Sequence, residues 1–272
     1  MVDQELRVMV LVKAAPVLTS SLDETMCVAA MTLDETPRWI RLHPVPFRDM
    51  ADESRFRKYQ ELTARVIKPR GDRRPESWTP IQGSMVPGEV LGTDHGWARR
   101  RERVSSLGEV QMCDLVEANR SGSGPGTPSL GVVRPVGRPE LEITTRDEVQ
   151  LDKWRSRAEA IAARPSLFDD PAAKKAPFEV VPWRFRYLYR CAAASCNGHG
   201  QTIVDWEVNA LWRHVRHRPN WQDLMRQKFV DELWAEDRDT VLFVGNQEQH
   251  PHAFLVLGIF WPPGGGLQGS LL

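Results

Sequence analysis

The sequence predicts an α+β fold, in which a β-rich N-terminal part, barrel-like or a meander, packs on a mixed α/β C-terminal part. Three observations predict it. Apolar, β-branched runs fill the start of the chain, at residues 5–13, 24–32 and 37–45. Amphipathic helical patterns are concentrated later, at 148–164 and in the two stretches EVNALWRHVRHR and NWQDLMRQKFVDELWAED. Two further strand patterns, RDTVLFVGNQ and HAFLVLGIFWPP, follow those helices and are joined by a polar turn. Composition divides the chain into a β-rich domain over 1–147, a helix and linker over 148–177, an α/β domain over 178–264 and a disordered tail over 265–272.

In chain order, the three early runs form a meander of strands, with Cys27 inside the second. Residues 70–98 hold several prolines and glycines and almost no periodicity, which predicts a long ordered loop. Residues 97–119 read as a helix weakened by Gly108, with Cys113 near its end. RSGSGPGTPS, at 120–129, is a loop by composition. SLGVVRPVGRPELEITTRD returns to strand character and is expected to complete the N-terminal sheet, its prolines marking an edge or bulge. The helix at 148–164 stops at Pro165. FEVVPWRFRYLYRCA then alternates aromatic and polar residues as a strand leading into Cys191. Asn220 is placed to cap the second C-terminal helix.

Bulk composition removes several function classes. Lysine plus arginine equals aspartate plus glutamate at 36 each, so the whole molecule gives no electrostatic case for an acidic partner. No apolar run is long enough to span a membrane, and the N-terminus lacks a secretory pattern, so a cytoplasmic protein is expected. Four scattered cysteines do not make a disulfide framework. Neither a P-loop, a dinucleotide-binding glycine fingerprint, a GxSxG elbow nor HExxH occurs.

The stretch RCAAASCNGHGQTIVDWE carries the strongest chemistry. Thiolates and imidazole are ligands for zinc and for iron–sulfur clusters, and Cys191, Cys196 and His199 lie close together in the chain. A closed site needs more ligands. Cys27, Cys113, Cys191 and Cys196 would complete a four-thiolate [4Fe–4S] site that ties the two halves together, with His199 spare, and this set is favoured because it uses every cysteine. The alternative is zinc on Cys191, Cys196, His199 and one remote residue, Cys113 or one of His214, His217, His250 and His252. Against both, free cysteines are often simply buried.

Asp205 and Glu207 flank Trp206 at the end of a strand, so both carboxylates fall on one face and suit Mg²⁺ binding or acid–base catalysis. A strand-to-helix junction also attracts Asp as an N-cap and Glu in the first turn for structural reasons alone. Between Thr36 and Val104 there are 15 lysines and arginines against 9 acidic residues. Arg38, Arg41, Arg48, Arg73 and Arg74, interleaved with aromatics, would contact single-stranded DNA or RNA, although a solvated strand face reads the same way. The leading expectation is therefore a metal-containing, nucleic-acid-associated protein, as a nuclease or processing enzyme. An iron–sulfur redox sensor without turnover and a small-molecule enzyme using Asp205, Glu207 and the basic loop around Arg73 and Arg74 are the other readings. WIRLHPVPFR, CxxxxCxGHxQ, DWE and FVGN together resemble an uncharacterised bacterial protein family. That resemblance implies that these segments form one unit and brings no activity with it.

Overall fold

The computed structural model describes residues 3–18, 24–120, 126–163 and 178–265. The fold is α+β. Strands β1 (Gln4–Lys13), β3 (Glu24–Thr32), β4 (Trp39–Val45), β6 (Ser77–Pro80) and β5 (Gln60–Ile67) pair in that order, and β5 closes the ring by pairing antiparallel with β1. Two short strands attach outside it, β2 (Val17–Leu18) on β3 and β7 (Val86–Val90) on β5. The barrel contains one parallel pair, β4 with β6. This order is that of the five-stranded Greek-key OB barrel.

In β1 and β3 the apolar run is continuous because both faces are buried, whereas β4 and β5 mix polar residues among their buried ones. Leu6, Val8 and Val10 of β1 point inward with Met26, Val28 and Ala30 of β3 and Leu62, Ala64 and Val66 of β5. The outward-facing Met9, Leu11, Ala29 and Met31 pack on Val132, Phe243 and Leu257 from the C-terminal part. Fully burying a side chain of this size contributes roughly 1.5–3 kcal/mol, so the shared layer joins the two parts firmly.

The C-terminal part holds two sheets. In one, β12 (Val241–Gln247) lies between β13 (His250–Phe260) and β8 (Leu130–Val133); in the other, β10 (Trp183–Tyr189) lies between β11 (His199–Thr202) and β9 (Glu140–Thr145). The helices are α1 (Asp94–Ser105), α2 (Met112–Ala118), α3 (Glu148–Ala162), α4 (Trp206–Val215) and α5 (Trp221–Arg226), of which α2 packs on β13 and α3 on β2, and α5 runs on into a π-helical segment, Gln227–Glu232. Asp147 caps α3 by accepting from the Gln150 amide. Asn220 occupies the N-cap position of α5 without a side-chain cap bond. Among the described residues, no helix is long and apolar enough to cross a membrane.

Three expectations are corrected. Residues 130–145 do not complete the barrel: β8 pairs with β12 and β9 with β10. The intervening segment contains Pro135, Gly137 at φ +69° and Pro139, which end one strand and start another in a different sheet. Residues 70–98 are not one long loop, since they include β6, which lies between β4 and β5 in the barrel, and β7. The helical pattern at 97–119 is broken at Gly108, φ +70°, into α1 and α2. Residues 121–125 of the Gly/Ser loop, the linker after 163 and the tail after 265 lie outside the described residues.

Candidate metal centre

The site grows out of the β10–β11 hairpin. In β10, Phe185, Tyr187 and Tyr189 alternate into the core, and the strand delivers the chain to Cys191 at the edge of that core. The loop then turns tightly: the Cys196 amide donates to Ala193 O at 3.0 Å, and the Arg190 guanidinium donates to Cys196 O. Gly198 at φ +107° turns the chain back, a conformation open to glycine, and His199 enters β11 directly opposite Tyr189. The fourth ligand comes from α2, where Cys113 is the second residue and its neighbour Met112 is fully buried.

The ligand atoms of Cys113, Cys191, Cys196 and His199 all lie within 4.8 Å of one another. Cys191 Sγ is 3.6 Å from Cys113 Sγ, and His199 Nε2 is 3.3 Å from Cys196 Sγ and 3.6 Å from Cys113 Sγ. Cys191 and Cys196 are buried, whereas Cys113 and His199 are half-buried. Tyr189 fixes the wall behind them, its ring 5.4 Å from that of His199 and its hydroxyl donating to Gln201 Oε1 at 2.6 Å.

The four groups differ in how readily they lose a proton. Burial, followed by the neighbouring Cys191 and Cys196 thiols, pushes the Cys113 thiol up to about 12. Burial also opposes ionisation of Cys196, but backbone N–H groups of Cys191 and Gly198 outweigh it and hold this thiol below its ordinary value. Burial lowers the His199 pKa, which keeps the imidazole neutral and its nitrogen available. Three crowded sulfurs and a neutral imidazole are a donor set that a metal ion satisfies, so the group can hold one.

The four-cysteine set is therefore corrected. Cys27 lies on β3 in the barrel, where Arg41 Nη1 approaches its sulfur at 3.6 Å, and it is not in the group. His199, in place of Cys27, completes the group with Cys113, Cys191 and Cys196. The signal for it in the sequence is the short spacing Cys196-x2-His199. His214, His217, His250 and His252 are also outside the group.

Asp205 and Glu207 do not form an open pair on a strand face. Asp205 is the N-cap of α4, accepts from the Glu207 amide at 3.0 Å and is 1% exposed. Lys58 Nζ lies 2.9 and 2.7 Å from the two Asp205 oxygens and 3.2 Å from Glu207 Oε2. Burial would lower the Lys58 pKa; the two carboxylates reverse this and hold it above its ordinary value. An acid so committed has little capacity left for Mg²⁺ or for proton transfer. Sequence reading missed Lys58, for which KYQ offered no chemical signal without its partner 147 residues away.

The arginines divide. Arg41 is buried and donates to Ser129 O at 3.1 Å, and Arg74 is buried between Asp72 and Asn246 O, at 2.6 and 2.7 Å. Both join the barrel to the C-terminal part, which removes them from the set expected to face phosphates. Arg48 pairs with Glu24 at 2.7 Å, Arg38 pairs with Asp34 at 3.2 Å while remaining exposed, and Arg73 is exposed. In OB barrels, oligonucleotides bind on the face of the second and third strands. Here those strands are β3 and β4, and their outer face is covered, with Trp39 edge-on to Phe243 at 5.8 Å.

Two family models match the chain. One, a domain of unknown function designated DUF8758, covers residues 4–106, the barrel and all of α1. The other, a domain of unknown function designated DUF8757, covers residues 108–271 and includes all four clustered ligands. No curated protein matches. With more than half of its length inside that second model, the chain belongs to the DUF8757 family.

Proposed function

We propose that the Cys113, Cys191, Cys196 and His199 group holds a single zinc ion with a structural role, and that the protein is a zinc-stapled nucleic-acid-binding protein. The spacing of the ligand atoms carries the metal reading. Two Zn–S arms of about 2.3 Å at a tetrahedral angle span roughly 3.8 Å, and one sulfur arm with one nitrogen arm of about 2.0 Å spans roughly 3.5 Å. The distances of 3.6, 3.6 and 3.3 Å lie close to these values. A four-iron cluster seats each ligand on a different iron and needs them farther apart than the arms of one ion. Four protein ligands would also fill a tetrahedral zinc, leaving no position for a reacting water, as in structural sites.

Nucleic acid is the partner class that the OB strand order supports. With the β3–β4 face covered, a strand would dock elsewhere on the surface. Two measurements test the proposal. Protein purified without oxygen should be colourless with one equivalent of zinc; iron, sulfide and broad absorbance near ~400 nm would favour the cluster instead. Single-stranded DNA or RNA should bind at low salt and be released as salt rises, and absence of binding at low salt ends the nucleic-acid reading.

A further inference from the structure

Away from the metal group, a cavity of about 570 Å³ opens where the end of β1, the start of β5 and the start of α1 meet α4, the π-helical segment and the end of β13. Its volume is within the ~300–1,000 Å³ range of small-molecule sites. Five cations line it, Lys13, Arg57, Lys58, Arg100 and Lys228, against one carboxylate, Glu207. Lys58 is neutralised by Asp205 and Glu207, and Lys228 by Glu232 at 2.6 Å. Lys13, Arg57 and Arg100 make no ion pair among the described residues.

Lys13 is the most telling of the three. Its ammonium lies 3.5 Å from the Phe47 ring centroid and donates to Phe56 O at 3.2 Å. Burial, with the charges of Lys58 and Arg55, lowers its pKa to about 8. What it lacks is a counter-anion. Arg100 spends Nε and Nη2 on Leu91 O and lays its guanidinium over the Tyr59 ring at 4.2 Å, leaving Nη1 without a protein partner.

The remaining walls are aromatic. Trp97, Trp206 and Trp261 are all half-buried there, with Trp97 and Trp261 edge-on at 5.3 Å. Tyr59 and Trp97 hold left-handed backbone, at φ 59° and 66°, which costs a non-glycine residue roughly 1–2 kcal/mol. Such outliers concentrate at ligand sites. Arg100 lies over Trp97 at 5.0 Å and Lys228 over Trp261 at 4.9 Å, and cations without ion-pair partners beside half-buried indoles are complementary to an anion carrying a flat ring.

We infer that this cavity binds a phosphorylated nucleoside, with its phosphate toward Lys13, Arg57 and Arg100 and its base against the tryptophans. The inference stands whether or not zinc occupies the Cys₃His group, and whether or not long strands bind. Calorimetric titration of the full chain should show binding of AMP or UMP, with adenosine, uridine and inorganic phosphate each weaker by about tenfold or more. Lys13→Met should weaken nucleotide binding by about tenfold with an unchanged circular dichroism spectrum. If that variant does not fold, Arg57→Ala, on an exposed side chain, replaces it with the same expected direction. A 5′-phosphorylated trinucleotide separates the sources: binding at least as tight as the mononucleotide identifies a strand end, and weaker binding identifies the free nucleotide. No heat from either mononucleotide at millimolar concentration, or a folded variant that binds like the parent, overturns the inference. A long strand that fails to bind while AMP or UMP binds removes the nucleic-acid reading and leaves this one intact.

Discussion

Cys27 and Cys113 are both half-buried thiols and are nearly equivalent in the sequence, yet their neighbours give them different work. Cys113 faces two sulfurs and an imidazole, whereas Cys27 faces a guanidinium. Cys113→Ser should lose the metal and Cys27→Ser should retain it, as read by elemental analysis of the purified variants. Equal metal content in both would remove Cys113 from the site. Asp205 is a second case. Asp205→Asn leaves the buried Lys58 ammonium without its main counter-charge, and breaking a buried pair from one side costs about 3–5 kcal/mol. Urea unfolding should show that loss. A variant as stable as the parent would mean that the pair adds little to the fold.

The β10–β11 hairpin depends on Gly198, whose φ of +107° and amide both serve Cys196 and His199. Gly198→Ala keeps every ligand but strains the turn by about 1–2 kcal/mol, so metal should transfer to a competing chelator at lower chelator concentration. Unchanged competition would show that the turn does not tune the site. Elements differed in how far the sequence disclosed them. β1 and β3 were legible because burial on both faces leaves unbroken apolar runs, and β4 because Trp39, Ile40, Leu42 and Val45 keep an apolar pattern among polar residues. The helix over 148–162 was legible through its period and its stop. β6 was not, because four residues ending in proline carry no period. For β8 and β9 the strand character was legible but the partners were not: alternation marks a strand without naming the strand beside it. The metal group shows the same limit. The local pair and His199 stood together in the chain, while the choice of Cys113 over Cys27 depended on which element folds against the hairpin.

Across the whole molecule, buried polar contacts connect the barrel to the C-terminal sheets. Arg74 reaches Asn246, Asn246 donates to Asn119 at 3.0 Å, and Glu76 accepts from the Ser129 hydroxyl at 2.8 Å. Asp72 anchors this network. Burial would raise its pKa, but hydrogen bonds from Arg74 and Ser77 outweigh that and hold it at about 2, below its ordinary 3.8. A carboxyl depressed on folding contributes stability that is fully present above its unfolded value and is lost as pH falls through the folded one. The parent should therefore exceed Asp72→Asn by about 2 kcal/mol near neutral pH, and the gap should shrink between about pH 4 and pH 2. A gap that does not change with pH would place the anchor elsewhere. Whether one zinc sits on three sulfurs and one imidazole is read by X-ray absorption at the zinc edge of protein purified without added metal. The spectrum should show about three sulfurs at ~2.3 Å and one nitrogen at ~2.0–2.1 Å around the metal. Iron with iron–iron scattering, or no bound metal, would contradict it.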